Sequence, residues 1–159
     1  MAKGLVINLE KCTGCRSCEL ACSFVHHGEY NPVKSNIHVS IFTENAFYVP
    51  VTCFQCDRAF CAEVCPTKAI SAKVENGAYV VKIDKQKCVG CKMCMLACPF
   101  GAISYIAGVG VQKCDLCGGN PECVNFCVPG ALQFKDLIVS SLQSKKALAE
   151  KVYHQKEVG

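Results

Sequence analysis

The chain has no run of 18 or more apolar residues, so it offers no helix able to cross a bilayer. Its opening, Met1 to Glu10, lacks the long apolar region and small-residue cleavage site of a secretory signal. Together these absences predict a cytoplasmic protein, unless a partner subunit carries it elsewhere. No Ser/His/Asp arrangement, paired-carboxylate site or phosphate-cradling glycine loop stands out. The C-x3-C-x2-C run of radical-generating iron–sulfur enzymes is also missing. What remains is a chain with no evident catalytic centre of its own.

One residue type is present in excess: 16 cysteines in 159 residues. They fall into four runs of four with none left over. The first is Cys12, Cys15, Cys18 and Cys22; the third, Cys88, Cys91, Cys94 and Cys98, repeats its spacing and is followed by Pro99. The second, Cys53, Cys56, Cys61 and Cys65, and the fourth, Cys114, Cys117, Cys123 and Cys127, have wider middle gaps. Three closely spaced thiolates followed by a fourth form the ligand pattern of cubane iron–sulfur clusters, in which the fourth cysteine of one run serves another run's cluster. Four runs predict four 4Fe-4S clusters.

Other readings fit less well. Zinc ribbons pair C-x2-C units across a longer spacer than these runs provide. Disulfides need an oxidising compartment, for which the sequence carries no export signal. The formal charge of +4 invites a nucleic-acid partner. Four oxidised clusters at roughly −2 each would turn that charge to about −4, so no nucleic acid is expected.

The chain also repeats itself between the runs. Val6–Cys12 resembles Val81–Cys88, each a short apolar strand leading through a lysine into cysteines. Cys65-Pro66, Cys98-Pro99 and Cys127-Val128-Pro129 are each followed by a similar small-and-apolar stretch, as in a duplicated unit. In each unit the leading cysteines belong on a loop and the segment from third to fourth suits one helical turn, which proline then ends. The first run has Ser23 where the proline would be, so its chain should leave in another direction. Asn76-Gly77, amid β-prone residues, predicts a hairpin. A second is expected from Ile37–Phe42 to Phe47–Val51. Gly108 and Gly110 lie in an apolar linker with no evident role. From Ser140 to about Gln155 a capping box and a narrow apolar stripe predict a helix.

With every site already supplied by cysteine, His26, His27, His38 and His154 read as non-ligands, the first two in a loop. Lys11, Lys87 and Lys113 each precede a first cysteine. They suit either of two roles, raising a cluster's potential by nearby positive charge or lying solvated on a loop.

From Val6 to Leu132 the sequence resembles the four-cluster iron–sulfur subunits that accompany pterin-cofactor oxidoreductases. The resemblance rests on Lys11–Cys22, Cys53-Phe54-Gln55-Cys56-Asp57, Cys61–Pro66 and Lys113-Cys114-Asp115-Leu116-Cys117. It implies an α+β fold of two bacterial dicluster-ferredoxin modules, the inner inserted in the outer, with small β-hairpins and a C-terminal helix. The outer module would be residues 1–50 plus 104–134, the inner 51–103, and the tail 135–159. It also implies a ligand pairing that spacing leaves open. One cluster would be held by Cys12, Cys15, Cys18 and Cys127, and another by Cys114, Cys117, Cys123 and Cys22. A third would take Cys53, Cys56, Cys61 and Cys98, and the fourth Cys88, Cys91, Cys94 and Cys65.

Functionally, the resemblance implies a non-catalytic electron-transfer subunit. Its partners would be a tungsten or molybdenum pterin catalytic subunit and an acceptor such as a flavin-containing subunit or ferredoxin. The segment from His26 to Val39 looks most like the small subunits of tungsten aldehyde oxidoreductase complexes. Subunits of hydrogenase, formate dehydrogenase or carbon monoxide dehydrogenase complexes are the alternative, and a zinc-binding module a distant one. The apolar stripe of the tail could dock on the catalytic subunit or in a higher assembly, or fold back on its own chain.

Overall fold

The computed structural model describes residues 3–137 together with 142, 145 and 146. The helix expected from Ser140 to Gln155 lies almost wholly outside the described residues. Short helices and small sheets alternate along the rest, giving the α+β class expected.

A four-stranded sheet joins the two ends of the chain to its middle, in the order β4 (Ile70–Glu75), β5 (Ala78–Ile83), β1 (Lys3–Ile7), β8 (Leu132–Asp136). Strands β4 and β5 form the hairpin that Asn76-Gly77 predicts, both turn residues having positive φ. β1 pairs antiparallel with β8 from Lys3↔Asp136 to Ile7↔Leu132, and parallel with β5 at Lys3↔Ala78. The second expected hairpin is also present, as β2 (His38–Phe42) and β3 (Phe47–Val51), with Ala46 left-handed at its turn.

A third hairpin corrects the sequence reading. The stretch taken as a linker is β6 (Ile103–Ile106) and β7 (Gly110–Lys113), antiparallel from Ile103↔Lys113 to Ile106↔Gly110. Gly108 and Gly110 supply the positive φ that its turn requires. This hairpin spans residue 104, where the outer module is expected to resume.

Each cysteine run builds the same local path. The residue two after the first cysteine is left-handed in all four: Gly14, Gln55, Gly90 and Leu116, with φ of 69°, 50°, 71° and 53°. In the second and in the third run, the first three cysteines that follow this path line a common cavity. A side chain in this conformation costs roughly 1–2 kcal/mol, which Gln55 and Leu116 bear. The third cysteine then lies in a helix: Cys18 in α1 (Ser17–His27), Cys61 in α2 (Phe60–Glu63), Cys94 in α3 (Met93–Ala97) and Cys123 in α4 (Glu122–Asn125).

After the fourth cysteine, three runs turn back sharply. Lys68, Gly101 and Gly130 are left-handed, and their amides donate to the carbonyls of Cys65, Cys98 and Cys127. The first run departs, as Ser23 suggests. Helix α1 continues through Cys22 to His27 and ends at the left-handed Gly28. Ser23, fully buried, donates from Oγ to Leu20 O at 3.0 Å and accepts the Asn31 amide at 3.1 Å. A proline there would have removed both contacts.

The apolar interior is thin and rich in sulfur. One core joins Cys18, Cys22 and Cys123 to Ile37, Val39 and Leu132, and a second joins Cys94 to Ile70, Val81, Ile103 and Val111. A small third core comprises Ala78, Val80 and Leu116, against which Leu5, Cys114 and Phe134 pack.

The run geometry yields a comparison between two glycines. A Cβ at Gly14 would lie 2.4 Å from the Tyr48 ring, whereas one at Gly90 would meet nothing within 4 Å. Both alanine variants bear the left-handed cost of roughly 1–2 kcal/mol. Gly14→Ala should lower the melting temperature clearly more than Gly90→Ala; equal losses would show that Tyr48 yields freely.

Candidate metal centres

None of the sixteen cysteines forms a disulfide, and two cavities gather eight of them. Cys53, Cys56, Cys61 and Cys98 line one cavity, walled by Phe54, Phe60, Phe100 and Val81. Cys65, Cys88, Cys91 and Cys94 line another, between Ile70, Ile83 and Val111. Where α1 packs on α4, Cys18 feels the charges of Cys15 and Cys127, with Cys12 against the same core. Beside them Cys123 feels Cys114, Cys22 and Cys117.

Grouping thiols in apolar surroundings makes ionisation costly. Burial pushes Cys18 up to about 12, with Glu19, Cys15 and Cys127 adding to it. Burial likewise carries Cys114 to about 12 and Cys117 to about 11, and raises Cys123, Cys61 and Cys94. Cys15 goes the other way, lowered chiefly by a hydrogen bond from the Ser17 side chain. At Cys65 the upward effect of burial is outweighed by hydrogen bonds from Thr67 and the amides after it.

Protonated, clustered thiols are poor nucleophiles and poor bases. Their chemistry fits a soft, thiophilic metal centre, which deprotonates coordinating thiols outright. Backbone amides already point at several sulfurs: Asn36 to Cys22, Ala69 to Cys65 and Leu132 to Cys127, each at 3.3 Å, and Leu116 to Cys114 at 3.4 Å. Such donors favour a thiolate over a thiol. The residues present therefore suit iron–sulfur clusters.

Several supporting residues escape a reading by spacing. Glu19 is buried, held by Arg16 at 2.7 Å, and its Oε1 accepts the Val39 amide at 2.7 Å, tying α1 to β2. Gln55 bridges distant segments, donating from Nε2 to Cys114 O and accepting the Val81 amide at Oε1, both at 2.8 Å.

His26 and His27 lie on the last turn of α1, not in a loop. His26 Nε2 is 3.5 Å from Asp115 and 3.7 Å from Cys117 Sγ, and His27 Nε2 is 2.9 Å from Gln112 Oε1. His26, Asp115 and Cys117 bring their ligand atoms within 4.8 Å of one another, but Cys117 already belongs to a thiol group. Of the three lysines before first cysteines, Lys11 and Lys87 are exposed, Lys87 lying 3.7 Å from Asp84. Lys113 is buried.

No helix among the described residues is long and apolar enough to cross a membrane. Two models of the 4Fe-4S dicluster domain match the chain, at residues 44–137 and 11–70. The polyferredoxin-like subunit of aliphatic sulfonate oxidoreductase from Pyrococcus furiosus is 45% identical over 77% of this chain and 70% of its own length. The putative electron transport protein YsaA of Escherichia coli is 37% identical, covering 86% and 92%. The thiosulfate reductase electron transfer subunit PhsB of Salmonella typhi is 35% identical over 93% and 82%. Among solved structures, the active site complex BamBC of benzoyl coenzyme A reductase contains a chain of the same fold, with TM-score 0.50 and 23% identity over 98% and 97%.

The raised thiols set a pH dependence for the iron-free chain. A thiol with an ordinary value near 9.0, held near 12 when folded, stays protonated in the fold while the unfolded chain ionises. The stabilisation from burying these thiols neutral is thus fully present below pH 9 and lost between about 9 and 12. Any ordered structure in the iron-free chain should fade over that window by circular dichroism. Iron-loaded protein, its sulfurs already thiolates, should not follow that curve.

Proposed function

The chain belongs to the 4Fe-4S dicluster domain family, and we propose that it is a relay passing single electrons through four 4Fe-4S clusters to or from a separate catalytic subunit. The observation that carries this reading is that each of two cavities gathers four cysteines, three from one run and the last of another, while Cys12, Cys18, Cys22, Cys123 and Cys127 share one core. Those neighbourhoods support the pairing Cys12, Cys15, Cys18 and Cys127; Cys114, Cys117, Cys123 and Cys22; Cys53, Cys56, Cys61 and Cys98; and Cys88, Cys91, Cys94 and Cys65. Each run then lends its last cysteine elsewhere, and the inner module is nested in the outer.

When bound, each cluster supplies a site that gains or loses one electron. The protein holds the thiolates, screens them from water with apolar side chains and donates amide hydrogen bonds to sulfur. The contacts between groups also support a linear order. Cys94 feels Cys61, Cys114 feels Cys53, and Cys123 feels Cys18. Cys91 and Cys15 are both exposed, so the groups containing them suit the two ends of the proposed path. Electrons would enter at one and leave at the other, with no reaction on this chain itself.

Relatives named as electron-transfer or polyferredoxin-like subunits of oxidoreductases support a catalytic partner. Within that class, our reading is a cytoplasmic complex with a tungsten or molybdenum pterin subunit acting on aldehydes, and a flavin subunit or ferredoxin as the other contact. The P. furiosus relative's name makes aliphatic sulfonates the substrate to test beside aldehydes. Docking through residues 140–156 is part of the same proposal.

Iron near 16 atoms per chain and a broad brown absorption are expected of the loaded protein, and stoichiometric zinc would overturn the reading. The pairing has its own test. Cys98→Ser should alter the same cluster's electron-paramagnetic signal as Cys61→Ser, and a different one from Cys94→Ser. Removing iron at neutral pH should cost the chain most of its order, because its interior is sparse, and raising the pH through the window given above should remove what remains.

A further inference from the structure

Lys113 ends β7, immediately before the fourth run, yet its side chain serves the second. It is 6% exposed and lines the cavity of Cys53, Cys56, Cys61 and Cys98. Its Nζ donates to the carbonyls of Val81 and, at 2.9 Å, of Cys114. Both partners are neutral oxygens. A buried ammonium is costly unless a negative charge lies close by. The cavity it lines supplies that charge only when its sulfurs are thiolates around a cluster.

On the basis of the four-cluster reading, we propose that Lys113 is a positioning residue that raises the reduction potential of the cluster held by Cys53, Cys56, Cys61 and Cys98. The sign follows from charge. Reduction adds a negative charge to the cluster, and a fixed ammonium beside it favours the more negative state. Beside the cavity of Cys65, Cys88, Cys91 and Cys94 stand instead two lysines, both exposed residues: Lys92, over the Tyr105 ring at 3.8 Å, and Lys85, whose Nζ donates to the Val111 carbonyl. Two otherwise similar centres are thus set apart by one buried charge. In the linear order, electrons arriving from the Cys91 end would meet a more oxidising second station.

Potentiometric titration of the iron-loaded full chain, followed by electron paramagnetic resonance, tests this. The relevant cluster is the one whose signal Cys98→Ser alters. Lys113→Gln and Lys113→Met, at full iron content, should each shift that cluster's midpoint negative. Lys113→Arg should hold it near the parent value, and Lys92→Gln should leave it unchanged. The shift should persist at about 1 M salt, where screening reaches only ~3 Å in solution, because the charge is buried. An unchanged midpoint in both neutral variants, or the same fall in Lys113→Arg, would overturn the proposal. A parent chain that binds no iron would instead remove the four-cluster reading beneath it.

Discussion

Sulfur cannot be buried in groups of four as thiolate without a cation to hold it, and the rest of this structure depends on that constraint. The thiols of Cys18, Cys114 and Cys117 are pushed to between about 11 and 12 by burial. Other cysteines, with Cys18, stand in the core where an ordinary domain would place leucine and valine. Cys18, Cys22 and Cys123 share one core with Ile37, Val39 and Leu132. Metal binding and core formation are therefore one event, and the energy that orders the loops comes from ligation as much as from apolar burial.

Holding a cube within so short a chain imposes a common backbone solution. Each run reverses at a left-handed residue between its first two cysteines, then enters a helix with its third. Glycine meets the requirement in two runs. In the others Gln55 and Leu116 accept the strain, and both have a second task. Gln55 bridges Val81 and Cys114, and Leu116 fills the small third core. Strain falls where the side chain is needed to join the halves.

The junction is polar as well as apolar. The Val81 amide meets Gln55 Oε1, and the Val81 carbonyl meets Lys113 Nζ, while Cys114 O receives both Gln55 Nε2 and Lys113 Nζ. This closed set ties the second run, β5 and the fourth run together. Mechanical connection and the middle of the proposed electron path coincide. The bracket would hold the separations between clusters on which the proposed relay depends.

Much of this was legible from local pattern. The cysteine spacing, the Asn76-Gly77 and Thr43–Ala46 turns and the departure of the first run at Ser23 follow from rules that act over a few residues. The β6–β7 hairpin was missed because its strands are short and its glycines lacked a flanking turn signature. His26 and His27 were misplaced because nothing nearby in sequence announces that α1 continues past Cys22. By itself the sequence determined the number of thiols, their division into four runs and the soft-metal chemistry they suit, since ligand identity and spacing are local properties. Only the tertiary structure decided which thiols reach the surface, and that Lys113 alone among three similarly placed lysines is buried. Those outcomes depend on contacts between residues tens of positions apart, and there the electrostatic character of each site is set by what the fold brings beside it.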